Sequence, residues 1–128
     1  MRDFYFYTSR PLTAQECYDN LKSEIMHIEM NGETDIWINY NKSRSFLWFY
    51  NEKMADFIYE SKEDFEKQKN QIPIQDPFVN HFETHRSIDA KRVIKVLMTL
   101  YPELYVFKDD DAPWQGTAQE FLDTEFDF

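Results

Sequence analysis

Nine residues, Phe6-Tyr7-Thr8-Ser9-Arg10-Pro11-Leu12-Thr13-Ala14, recur 76 positions later as Phe82-Glu83-Thr84-His85-Arg86-Ser87-Ile88-Asp89-Ala90, with Phe, Thr, Arg and Ala identical. Each copy leads into an amphipathic pattern. After the first, Thr13 and Glu16 have the spacing of a capping box. Ala14, Cys17, Tyr18, Leu21 and Ile25 then follow the three-and-four spacing of one helical face. After the second, Ala90, Val93, Ile94, Leu97 and Tyr101 hold the corresponding places, and Pro102 ends the helix. Both copies therefore read as strand, short loop, amphipathic helix, strand. The first runs from about Asp3 into Met26 to Met30, the second from about Phe78 into Leu104 to Lys108.

The intervening stretch reads as β structure. Asn31-Gly32 is a two-residue turn signal. The runs Thr34 to Asn41, Ser45 to Tyr50 and Ala55 to Glu60 are rich in Ile, Trp, Phe and Tyr and are separated by polar turns. Ser61 and Asp64 cap a short polar helix reaching about Asn70, with Phe65 nearly its only apolar anchor. Residues Gln71 to Pro77 form an extended connector, and Gly116-Thr117 with Glu120 announces a short C-terminal helix. The expectation is an α+β fold in one domain, 1–128. It has a mainly antiparallel sheet of about six strands, two amphipathic helices on one face and two short peripheral helices, the two strand-helix-strand units flanking a β meander.

With 128 residues and 18% aromatic content, the chain can bury a single core. No apolar run approaches a bilayer span, and the charged, aromatic N-terminus lacks a signal-peptide core, so a cytoplasmic location without membrane contact is expected. Cys17 is the only cysteine. It falls on a helical apolar stripe, where a buried, inert thiol is expected.

The formal net charge is −10 and it is unevenly placed. From Tyr101 to Phe128 eight acids face one base, Lys108, whereas the first hundred residues hold 16 acids and 13 bases. Such a surface opposes phosphate binding, so no direct nucleic-acid contact is expected. It favours a basic protein partner met by an outward-facing set of Asp109, Asp110, Asp111, Trp114, Asp123, Glu125 and Asp127. The expected function is non-catalytic protein binding. In charge and size the chain resembles small acidic proteins that neutralise toxins, so an immunity- or antitoxin-type inhibitor with a toxin as partner is its specific form.

The alternative is a small-ligand-binding protein or enzyme with an aromatic-lined pocket. Its candidate residues are Trp37, Tyr40 and Trp48 of the β-rich stretch, with Arg10, His85 and Arg86 as polar groups. Arg10 and Arg86 hold equivalent places before the two helices, where they either flank an anion or pair with the chain's own acids; the second is expected. Ser9 with His85 lacks the elbow and orienting acid of a hydrolase. His81, Glu83 and His85 invite a metal reading, but on a strand the outer two stand roughly 13 Å apart, too far for one ion. No catalytic residue, metal or cofactor is assigned, and the sequence leaves the oligomeric state open.

Overall fold

Alternation along the first strand sets the plan of the molecule. In β1 (Arg2–Thr8), Phe4, Phe6 and Thr8 point into a helix-covered core, and Asp3, Tyr5 and Tyr7 point to the other side. A computed structural model describes residues 2–40, 43–56 and 61–128, with Tyr40 described in its backbone only. After β1 come α1 (Ala14–Leu21), β2 (Ile28–Asn31), β3 (Asp35–Tyr40), β4 (Ser43–Lys53) and α2 (Lys62–Gln71). The chain continues through β5 (Phe78–Thr84), α3 (Ser87–Leu100), β6 (Tyr105–Asp109), β7 (Trp114–Thr117) and α4 (Ala118–Leu122).

All neighbouring strands are antiparallel, in the order β2-β3-β4-β5-β1-β6-β7. The α+β expectation holds, with seven strands among the described residues where about six were expected. Residues 114–117 add a strand that the sequence did not announce. The expected strand from Ala55 to Glu60 is corrected at its start: Met54–Asp56 is a 3-10 turn, and the rest lies outside the described residues. Among the described residues, no helix is long and apolar enough to cross a membrane.

The main core lies between one sheet face and α1, α3 and α4. Phe4, Phe6 and Phe82 from the strands meet Cys17 and Leu21 of α1, Val93, Ile94 and Leu97 of α3, and Phe121 of α4. Phe4 packs edge-on against Phe121, with ring centroids 5.6 Å apart. Since Phe121 is fully buried, α4 is part of this layer and not peripheral as expected. The reason is that the tail folds back, bringing Phe126 and Phe128 against the same cluster. Helix α2 is peripheral: none of its residues is buried, and Phe65 packs on a smaller cluster of Tyr7, Met54, Ile72, Val79 and Tyr105 on the opposite sheet face.

The two similar segments do form similar local units, β1-α1-β2 and β5-α3-β6, but the sheet uses them differently. Strand β1 inserts between β5 and β6, whereas β1 and β2 are separated by three strands. The Thr13–Glu16 capping box does not form, since the Thr13 side chain makes no cap hydrogen bond. The chain entering α1 is instead held by Asn51, which accepts from the Leu12 N–H and donates to the Leu12 carbonyl, both at 2.8 Å. The Thr117–Glu120 box forms in full, and Ser61 accepts from the Asp64 N–H at 3.1 Å.

Candidate functional site

Helices cover one face of the sheet; among the described residues, α2 and the 72–74 connector pack on one end of the other. The register puts Trp37, Phe46, Trp48, His81, Tyr5 and Phe107 together on that second face, contributed by β3, β4, β5, β1 and β6. Their rings form a continuous run. Centroid separations are 6.2 Å for Trp37–Phe46, 5.4 Å for Phe46–Trp48, 4.9 Å for Trp48–His81, 4.9 Å for His81–Tyr5 and 6.4 Å for Tyr5–Phe107. All six are half-buried. An antiparallel sheet with large rings on both faces has more apolar surface than its own helices cover.

Beside these rings runs a row of acids. Asp3 pairs across the ladder with Glu83 on one side and with Asp109 on the other, so three carboxylates stand abreast on β5, β1 and β6. Like charges directly opposite one another are destabilising in a sheet. The effects are visible in neighbouring groups. Burial raises the Glu83 carboxyl above the usual range, as do a hydrogen bond shared with Asp3 and the Asp3 charge, and His81 offsets this only in part. Burial likewise raises the Tyr5 phenol, reinforced by Asp109, Asp3 and Glu83. His81 Nε2 lies 3.0 Å from Asp3 Oδ1 and 3.7 Å from Glu83 Oε1, and its ring is sandwiched between Tyr5 and Trp48. At the far end of the run, the Arg44 guanidinium lies 4.3 Å from the Trp37 ring centroid, an example on this surface of a cation on an aromatic.

The C-terminal acids named from sequence divide between places. Asp109 joins the row just described. Asp110 turns inward: Lys108 Nζ donates to it at 2.6 Å, the Ala112 N–H at 2.8 Å, and Arg2 lies at 3.4 Å. Burial raises the Asp110 carboxyl, but those bonds and the charges of Lys108 and Arg2 outweigh it and hold it below the usual carboxylate range. Asp111, Glu125 and Asp127 line a groove with Arg2 and Lys108 at the β6–β7 loop. Asp123, which caps the C-terminus of α4, accepts from Gln119 at 3.1 Å. Trp114 projects to the helix side, half-buried, and packs edge-on against Phe121 and Phe126 at the border of the main core.

The residues of the alternative reading do not converge. Because β1 and β5 are antiparallel, with Arg2 opposite Thr84 and Thr8 opposite Phe78, Ser9 and Arg10 leave one end of the sheet while His85 and Arg86 leave the other. Six residues of strand separate them, roughly 20 Å. Arg10 donates to the Leu100 carbonyl at 3.0 Å, at the C-terminal end of α3, and stacks on Tyr101. Arg86 lies 3.9 Å from Asp89, and Ser9 Oγ donates to Glu103 at 2.8 Å. His85 is exposed beyond the end of β5. Trp37 and Trp48 belong to the ring run, and the side chain of Tyr40 lies outside the described residues. Cys17 is fully buried, and burial pushes its thiol up to about 12.

Sequence reasoning reached His81, Glu83, Trp37, Trp48 and Asp109 separately, and missed Asp3, Tyr5 and Phe107 as their companions. The available signal was the strict alternation of Asp3, Tyr5 and Tyr7 with Phe4, Phe6 and Thr8. Chemically, the assembled surface offers π faces and carboxylates to a cation. No protein-family model matches this chain, and no curated protein or solved structure shows significant similarity to it.

Proposed function

We propose that the chain is a non-catalytic protein-binding domain that engages a basic partner, in the manner of an immunity- or antitoxin-type inhibitor, and that the contact surface is the ring-studded sheet face. The observation carrying this reading is the row of Glu83, Asp3 and Asp109 beside five half-buried aromatic rings and His81. Arginine and lysine side chains satisfy both elements at once, stacking on Trp and Tyr while pairing with the acids. Tryptophan and tyrosine are also favoured anchors of protein interfaces. The acids around the β6–β7 loop, Asp111, Glu125 and Asp127, extend the negative field and raise the encounter rate.

The test is affinity capture with immobilised wild-type chain and, in parallel, a variant carrying Trp48→Ala, Asp3→Asn and Asp109→Asn. The reading expects a basic polypeptide held by the wild type, displaced by salt and lost from the variant. If wild type and variant retain the same proteins to the same extent, this face is not the interface. Replacing Asp111, Glu125 and Asp127 with neutral amides is expected to slow association without changing dissociation, measured by surface plasmon resonance with the captured partner.

A further inference from the structure

Asp3, His81 and Glu83 present one ligand atom each, all within 4.8 Å of one another. We propose that these three residues bind a first-row divalent cation of the zinc type at the centre of the open sheet face. Ligands about 2.0–2.2 Å from such an ion stand roughly 3–3.5 Å from each other. The separations from His81 Nε2 to Asp3 and Glu83, 3.0 and 3.7 Å, bracket that spacing.

The positions are set by rigid parts. Asp3 and Glu83 are direct cross-strand partners, and His81 is two residues along β5 from Glu83 on the same face. The imidazole is clamped between the rings of Tyr5, at an interplanar angle of 13°, and Trp48, at 32°, which aims Nε2 at the two carboxylates before any ion arrives. An imidazole with two carboxylates suits zinc and its first-row neighbours better than calcium or magnesium, which take oxygen ligands alone. Three protein ligands on a half-exposed surface leave a coordination position for water or for a donor brought by another molecule. A cation here also relieves the crowding of Glu83, Asp3 and Asp109, a row where acids stand opposite acids on successive strands. The site shares Asp3 and Glu83 with the face assigned above to the partner but does not rest on that reading, since all three ligands come from this chain and binding of the ion is measured without a partner.

Isothermal titration calorimetry of the full, untagged and chelator-stripped chain with zinc chloride tests it. The expectation is saturable binding of one equivalent, at least tenfold weaker in Asp3→Asn, Glu83→Gln and His81→Gln, and unchanged in His27→Ala and His85→Ala. Magnesium chloride is expected to bind at least a hundredfold more weakly. Circular dichroism confirms that each variant is folded. Should His81→Gln fail to fold, histidine ring resonances of the wild type give the same answer: zinc is expected to move those of His81, and movement confined to His27 or His85 overturns the site. Absence of saturable one-to-one binding, or an affinity unmoved by all three ligand substitutions, overturns it as well.

Discussion

Asn51 does work at the scale of one residue that no pattern in the sequence distinguishes. Its φ of 50° lies in the left-handed region, where asparagine is better tolerated than most residues. It sits where the β4–β5 register shifts between Trp48 and Glu52, an irregularity that bends the strand. Its side chain holds both polar groups of Leu12, and its N–H donates to Asn80 Oδ1 at 2.8 Å. Asn51→Ala is expected to destabilise by about 2–3 kcal/mol, from lost part-buried hydrogen bonds and the less tolerant backbone. Urea unfolding measures this, and a loss below about 0.5 kcal/mol contradicts it. Cys17 makes the opposite case, because its helical stripe alone announced burial. Its thiol is expected to stay unmodified by iodoacetamide in the native protein and to react on unfolding, read by mass spectrometry. Asp110 supplies the pH dependence. Its carboxyl is held below the usual range when folded, so its contribution is present above the ordinary carboxylate pKa and is lost as pH falls through that range toward the lower folded value. Asp110→Asn is expected to lower stability near neutrality and to flatten the acid limb of a stability-against-pH curve.

Among the elements, α4 and α1 show how far local patterns reach. Both carry a Thr-x-x-Glu signature, yet only Thr117–Glu120 closes its box. Thr117→Ala is therefore expected to cost about 1 kcal/mol, and Thr13→Ala a few tenths at most, compared by chemical unfolding. Phe121→Ala should cost about 3–5 kcal/mol, far more than a peripheral helix would lose. Helix and strand types were legible because periodicity is a short-range property: α1, α3 and β1 form where their apolar spacings begin, although α1 stops at Leu21 and Ile25, read as part of its stripe, is buried beyond the helix end. The acid row and the His81 site were not, because both depend on register. That Asp3 stands opposite Glu83 and Asp109 follows only from pairing strands at opposite ends of the chain, which no local spacing encodes. For the same reason, Arg10 and Arg86 looked equivalent in sequence and ended at opposite ends of the sheet.

At the scale of the whole molecule, the described residues form a seven-strand sheet backed by helices, in which β1 pairs with strands far along the chain. Amide hydrogen exchange should follow that layout, slowest at Phe4 and Phe6 in β1 and fastest in the four-residue edge strands β2 and β7. Protection in β7 exceeding that in β1 would contradict the strand order. β1 is flanked in the sheet by β5 and β6, and every residue it pairs with lies at least 70 positions further along. Such distant closures slow folding. During synthesis, β1 must therefore wait, its phenylalanines and tyrosines uncovered, until β5 and β6 have followed it out of the ribosome. For that interval the nascent chain is a natural client for chaperones.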